Sequence, residues 1–370
     1  MTGPRTPLAL PDFPWDSLAG AAERARTHPD GMVDLSVGSP VDPTPAVAAA
    51  ALAAAADAHA YPTTAGSPAL RAAIVEWFAR RRGVPGLTEA NVLPTVGSKE
   101  AIALLPLALG LGPGDVVVHP GTAYPTYAVG AAAVGATALA EDDPAAWPET
   151  TRLIWVNSPG NPDGRILDVE ALRAVVARAR ELGAVVAADE CYAELNWTGP
   201  DPTPSILDPG VIGDTRSNVL ALYSLSKQSN LAGYRAAFVA GCSRLVGELL
   251  GVRKHLGLMV PAPVQAAMAA VLADDAHVAE QRERYRARRT RLSRALVRAG
   301  YRIDESEAGL YLWATKGQDC WSTVAELADA GILVAPGSFY GAAADRHVRI
   351  ALTATDEAIA DAVARLELLS

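Results

Sequence analysis

Leu220-Ala-Leu-Tyr-Ser-Leu-Ser-Lys227-Gln-Ser-Asn-Leu-Ala-Gly-Tyr-Arg235 is the stretch on which the fold of this chain turns. The apolar run 219–223 reads as a buried strand, and it stops at Ser224 in a polar segment. That segment holds two hydroxyls, Ser224 and Ser226, then Lys227 and, eight residues later, Arg235. An amine delivered at the end of a buried strand is a candidate nucleophile for a Schiff base. The two hydroxyls and the guanidinium suit a phosphate, because the arginine fork donates two parallel hydrogen bonds to such an anion. Taken alone, the spacing also fits a solvated loop lysine beside a structural arginine, so the flanking chain has to decide.

The same arrangement recurs on both sides. A short strand near 33–37 ends at Gly38, where a backbone amide can approach a ligand closely. Tyr61 lies in a loop, and Ser67 then Pro68 read as the cap and first turn of a helix through residue 82. A strand over 91–96 runs into Gly97-Ser98-Lys99-Glu100, a helix start whose free N–H groups and positive dipole end seat a phosphate. A strand over 116–119 leads to Tyr124. A strand over 153–156 leads to a dense run of turn formers in which Asn161, preceding Pro162, is held out of the helical region. A helix over 169–182 returns to a strand over 184–188 that closes on Asp189-Glu190-Cys191-Tyr192, and two acids ending a buried strand are costly unless paired.

Strands ending near 96, 119, 156, 188 and 223 thus deliver polar or aromatic groups to one edge, with helices between most of them. This predicts an α/β fold with a mostly parallel, doubly wound sheet. A strand at 236–240 and further helices follow, then a smaller α+β unit with strands over 310–314, 332–335 and 347–352 and a closing helix from Asp356. Arg349 sits inside the last of these strands and calls for an anionic partner. The expected organisation is an N-terminal segment (1–40) packing with the small domain, a large domain (41–285) and a small C-terminal domain (286–370).

The chain has 370 residues, half of them hydrophobic and a fifth charged, with a formal net charge of -9. That charge argues against nucleic acid as a partner. The arginines 282, 284, 286, 288, 289, 291 and 294 fall all round one helix with acids interleaved, which reads as a solvated helix linking two domains. Cys191, Cys242 and Cys320 lie far apart and allow neither a disulfide framework nor zinc spacing, which fits a cytoplasmic protein. No signal peptide is visible in residues 1–16, the alanine-rich run 46–56 is too short to span a membrane, and no metal site is expected.

In this order these residues resemble the class I/II aminotransferases of fold type I, which use pyridoxal 5'-phosphate. The resemblance covers nearly the whole chain. It implies that Lys227 holds the cofactor and shuttles the reaction's proton, that Asp189 pairs with the pyridine nitrogen, and that Tyr192 and Asn161 contact the ring's phenolic oxygen. It implies also that Tyr124 stacks on the ring, that Gly97, Ser98, Lys99, Ser224, Ser226 and Arg235 hold the phosphate, and that Tyr61 reaches it from a neighbouring subunit. Arg349, with Gly38 and Asn161, would then take the substrate's α-carboxylate. A buried carboxylate beside the ring nitrogen keeps that nitrogen protonated, so the ring can accept electrons.

Longer segments resemble the N-succinyldiaminopimelate aminotransferases of lysine biosynthesis, among them Asp34-Leu-Ser-Val-Gly-Ser-Pro-Val-Asp-Pro43, Val252-Arg-Lys-His255, Gly309-Leu-Tyr-Leu-Trp-Ala314 and Val348-Arg-Ile-Ala-Leu-Thr-Ala-Thr-Asp-Glu357. Asp163 and Ser338 depart from that pattern, where relatives carry threonine and aspartate. This resemblance implies exchange of an amino group between glutamate and N-succinyl-2-amino-6-ketopimelate, with Arg253 and Lys254 as candidates for the distal carboxylates. It also implies a homodimer with composite sites. A general aminotransferase of other specificity and a β-lyase share every cofactor residue and stay open at this level.

Overall fold

The computed structural model describes residues 10–369; the first nine residues of the stretch read for a signal peptide, and of the N-terminal segment, lie outside it. In chain order the strands are β1 Val33–Asp34, β2 Val92–Val96, β3 Val116–His119, β4 Thr137–Ala140, β5 Thr151–Asn157, β6 Val185–Asp189, β7 Val219–Ser224 and β8 Ala236–Gly241. The remainder are β9 Arg302–Asp304, β10 Tyr311–Thr315, β11 Ile332–Leu333, β12 Ala335–Pro336 and β13 Val348–Ala351.

Among the described residues a seven-stranded sheet runs in the order β2-β8-β7-β6-β5-β3-β4. Only β8 runs against its neighbours, so β2, β3, β4, β5, β6 and β7 all point one way. Alternating side chains feed two cores, as a period of two requires. Val118, Ile154, Val186, Ala221 and Tyr223 face the helices Pro68–Arg81, Val169–Leu182 and Ala262–Leu272. Val117, Leu153, Trp155, Ala187 and Leu222 face Ser98–Ala108, Thr126–Ala133 and Ser243–Leu256. A four-stranded antiparallel sheet, β12-β13-β10-β9, builds the smaller unit, and β1 pairs with β11 beside it. Leu18, Ala22, Val33 and Leu35 of the N-terminal segment share a core with Leu292, Leu312, Ile350 and Ile359.

Several local expectations change. The strand expected over 332–335 divides into β11 and β12, which join different sheets. β4 and β9 carry no strand signal that the sequence reading used; β4 is a largely exposed edge strand. The residue-285 boundary falls inside the continuous helix Ala276–Arg298. That helix is not simply solvated. Arg288 is 2% exposed, with Nη1 and Nη2 donating to Asp42 at 2.8 and 2.6 Å and Nε to Asp356 at 2.7 Å. Burial pushes the Asp42 carboxyl up, but its hydrogen bonds with Arg288 and Gln281 outweigh that and hold it below the usual range. The arginine therefore ties the start of the large unit to the small one. Of the two acids that close β6, Glu190 is paired, accepting from Arg82 Nη2 at 2.8 Å, Ser205 Oγ at 2.9 Å and the Ile206 amide at 2.7 Å. No described helix is long and apolar enough to cross a membrane, and the three cysteines are free and buried.

Candidate active site

Because β2, β3, β5, β6 and β7 are parallel, their carboxyl ends meet at one sheet edge. The reversed β8 begins there too, which brings Arg235 to the same place. Open α/β sheets bind ligands at this edge. A cavity of about 760 Å³ opens there, lined by residues of the large sheet, by Tyr311 and Arg349 of the small unit, and by the N-terminal segment from Leu10 to Trp15.

Lys227 rides on a one-turn helix, Leu225–Gln228, capped by the Ser224 hydroxyl, which accepts from the Ser226 amide at 3.1 Å. Its Nζ donates to the Gly38 carbonyl, so Gly38 enters the site through its C=O and not through the amide expected. A Cβ on Gly38 would collide with the Tyr311 hydroxyl, which is why the backbone can lie against that ring. Gly97 begins the helix Ser98–Ala108 at φ +78, and a Cβ there would strike the Arg235 guanidinium. Arg235 itself holds φ 55, a left-handed conformation that costs a non-glycine residue about 1 to 3 kcal/mol. Ser98, Ser224, Ser226 and Arg235 all line this end of the cavity, and Ser224 and Ser226 join hydroxyls at 2.9 Å. These groups form a seat for a dianion.

Asp189 is buried at the end of β6. Burial pushes its carboxyl up, and hydrogen bonds from Cys191 and Tyr127 only partly oppose this. Tyr127 Oη donates to Oδ2 at 3.0 Å, and the Cys191 amide to Oδ1 at 3.2 Å. A carboxylate so placed is stabilised by any cation that joins it. The sequence reading did not single out Tyr127, which lies in the first turn of the helix Thr126–Ala133, three residues after Tyr124. Their rings meet edge to face at 5.9 Å.

Asn161 is fixed by its amide, which donates to Asn157 Oδ1 at 2.8 Å, and its own Oδ1 accepts from Arg349 Nη1 at 2.9 Å. Arg349 Nη2 donates to the Ser36 carbonyl at 2.7 Å. The guanidinium lies 3.9 Å from the Tyr311 ring centroid, 5.0 Å from Tyr340 and 5.7 Å from Trp15, while its buried Nε has no hydrogen-bond partner among the described residues. Tyr192, buried and with its hydroxyl pushed well up by that burial, lies 3.3 Å from the Tyr311 hydroxyl.

Three expected residues fall elsewhere. Tyr61 is 93% exposed and outside the cavity of its own chain. Arg253 is buried, with Nη1 donating to Glu100 Oε1 at 2.6 Å, and it lines a separate apolar cavity between helices. Lys254 is exposed on the last turn of Ser243–Leu256. Neither reaches the site, because helical geometry turns one toward the Ser98–Ala108 helix and the other to solvent. Lys99 does line the cavity, yet its Nζ sits 5.3 Å over the Phe13 ring and carries no ion pair among the described residues.

The residues fit pyridoxal 5'-phosphate: a dianion seat that a Cβ on Gly97 would fill, a buried carboxylate short of positive charge, an aromatic face at Tyr124, and an amine at Lys227. The family model "Aminotransferase class I and II" matches residues 30–366. The chain is 55% identical over 359 residues to the 4-dedimethylamino-4-oxo-anhydrotetracycline transaminase OxyQ of Streptomyces rimosus, covering 96% of this chain and 99% of that one. It is likewise 55% identical over 360 residues to a probable aminotransferase of Mycobacterium tuberculosis, covering 97% and 85%. Among solved structures, a probable N-succinyldiaminopimelate aminotransferase of Thermus thermophilus aligns with TM-score 0.87 at 27% identity, covering 97% of this chain and 100% of that one. The chain belongs to the class I and II aminotransferases, and like them it depends on pyridoxal 5'-phosphate.

Proposed function

We propose that this aminotransferase moves an amino group between glutamate and a keto acid that carries a second carboxylate, with N-succinyl-2-amino-6-ketopimelate as the acceptor. The cavity's cations carry the reading. Among the described residues, Lys227, Arg235, Arg349 and Lys99 line it against two acids, Asp12 and Asp189. The first three have tasks at the cofactor and the α-carboxylate, which leaves Lys99, poised over Phe13 at the mouth, for a distal carboxylate. Lys99 takes the part first given to Arg253 and Lys254.

When bound, the cofactor supplies a carbonyl that carries the amino group and a ring that withdraws electrons. Asp189 keeps the ring nitrogen protonated, the Gly97 and Arg235 cradle holds the phosphate, and Asn161 and Tyr192 orient the phenolic oxygen. The Asn161 side-chain Nδ2 donates to no acceptor among the described residues and is available for this. Arg349 would align the substrate, and Lys227 Nζ would take the proton from its Cα and deliver it to the cofactor carbon that receives the amino group. Tyr61, exposed in its own chain, is proposed to complete the phosphate seat of a partner in a symmetric homodimer.

The test is to mix the holoenzyme separately with glutamate, N-succinyl-LL-diaminopimelate and a panel of neutral and aromatic amino acids, following conversion of the cofactor to its amino form. Fast conversion by the first two alone supports the reading. A second reading is favoured by the 55% identity to OxyQ, whose name describes an oxo-anhydrotetracycline substrate, and by Phe13, Trp15, Tyr124 and Tyr311, four aromatic side chains that line the cavity. In that case the acceptor is a ketone on a fused ring system, and N-succinyl-LL-diaminopimelate leaves the cofactor unchanged. An active monomer in light scattering at assay concentration overturns the composite site.

A further inference from the structure

Tyr311 touches both halves of the proposed site without belonging to either. It opens β10, where it pairs with Ala351 and leaves Trp313 opposite Arg349. The alternation of the strand places its ring against the Arg349 guanidinium at 3.9 Å, the shortest of that cation's three aromatic contacts. Its hydroxyl lies 3.3 Å from the Tyr192 hydroxyl, with the two rings edge to face at 5.9 Å. The same hydroxyl occupies the space a side chain at residue 38 would need, so the backbone there has been kept open for it. Phenylalanine would supply the ring contact with Arg349 equally well. The hydroxyl therefore asks for a separate reason.

We propose that Tyr311 is a positioning residue that couples occupancy of the Arg349 carboxylate seat to the hydroxyl of Tyr192, and through it to the phenolic oxygen of the cofactor. If Tyr192 donates to the cofactor, its oxygen is free to accept from Tyr311. A donor at that oxygen strengthens the Tyr192 hydrogen bond, because chained hydroxyls polarise one another. How strongly Tyr311 donates depends on the charges around it. From β13 and the Lys227 turn it faces two cations, Arg349 and Lys227; from the segment after β6, Tyr192 and Cys191; and from other elements, Tyr340, Tyr124 and Tyr285. Burial pushes the Tyr311 hydroxyl up, but Arg349, Lys227 and the Tyr192 hydrogen bond together reverse this and hold it below the usual tyrosine range. Tyr192 and Tyr340, also buried, go the other way. In the holoenzyme Lys227 is taken up by the cofactor, which leaves Arg349 as the cation facing the Tyr311 hydroxyl, and a substrate carboxylate on Arg349 offsets it. Tyr311 then becomes a weaker donor, and Tyr192 loosens its hold on the cofactor oxygen when substrate is in place.

The inference rests on the roles given above to Arg349 and Tyr192, and its test separates the two. The holoenzyme is titrated by cofactor absorbance against pH, with and without saturating glutarate, a dicarboxylate that lacks the amino group. In the wild type glutarate moves the midpoint by about one pH unit, as a nearby unit charge does. In Tyr311→Phe the ring remains, so glutarate Kd stays within about threefold of wild type while most of the shift disappears. In Tyr311→Leu the ring is lost as well, and KM for glutamate rises about tenfold. A Tyr311→Phe enzyme that keeps the full shift overturns the proposal, and so does a wild type with none. Glutarate binding to Arg349→Met reports independently on the seat: if it is undiminished, the Arg349 assignment has failed instead.

Discussion

The Tyr127 hydroxyl donates to Asp189 Oδ2 at 3.0 Å, and the tyrosine is itself held by a stack on Trp155 with ring centroids 4.9 Å apart. The carboxylate proposed to meet the cofactor nitrogen is thus aimed by a fully buried side chain on a different element. Tyr127→Phe keeps the stack and removes one hydrogen bond to a charged group, worth about 1.5 kcal/mol. Cofactor affinity and turnover should each fall up to about tenfold, measured by fluorescence titration and steady-state rates. Wild-type values would mean that the Cys191 amide orients Asp189 alone.

Asp189→Asn should act in opposite directions on stability and activity. Burial raises the Asp189 carboxyl in the folded protein, so the native state binds its proton more tightly than the unfolded chain does. Without cofactor, this group's contribution to stability falls as pH rises from the ordinary carboxylate range through the raised value. Asparagine removes that penalty, and the apo-protein should melt about 2 °C higher at neutral pH. Turnover should drop about 10³-fold because the charge that holds the ring nitrogen protonated is gone. Calorimetry of the apo-protein checks the sign, and a lower Tm would contradict it.

Gly97→Ala should empty the phosphate seat. The added methyl meets the Arg235 guanidinium, and φ +78 is unfavourable for alanine. Cofactor affinity should fall about 100-fold, close to 3 kcal/mol, in equilibrium dialysis. Rescue of turnover by excess cofactor would show that only binding was lost.

Glu190→Gln tests the buried pair behind the site. Arg82 and Glu190 are each at most 5% exposed, and neutralising one leaves the other's charge unmatched, at about 3 kcal/mol. Urea denaturation should show that loss in the holoenzyme. A midpoint unchanged from wild type would mean that the Thr203 and Pro204 carbonyls satisfy Arg82 without help.

Lys99→Met keeps the apolar stem over Phe13 and removes the charge. KM for glutamate should rise about tenfold with kcat nearly unchanged, while neutral amino donors are unaffected. Equal losses for acidic and neutral donors would place Lys99 at the phosphate instead.

Much of the site was readable because local rules write it. A buried strand must end where backbone groups find new partners, and at Val96, Asp189 and Ser224 the polar residues that follow are the ones lining the cavity. Arg349 was legible for another local reason, since an arginine inside a strand calls for an anionic partner. Arg253 and Lys254 were misread because one-dimensional order does not say which face of a helix meets a neighbour. Glu100, far away in sequence, captures Arg253. The solvated reading of Arg288 failed for the same reason, its partners being Asp42 and Asp356.

By itself, the sequence determined the strand and helix alternation, the parallel sheet, and the lysine, acid, hydroxyls and arginine that suit a phosphorylated cofactor, since each depends on periodicity and on turns spanning a few residues. Only the tertiary structure decided which charges meet. Tyr127 found Asp189, Tyr311 came between Arg349 and Tyr192, and Lys99 turned to Phe13. These contacts join residues on separate elements, and the energy of a charge or hydroxyl depends on neighbours within a few ångströms, which chain order alone does not specify.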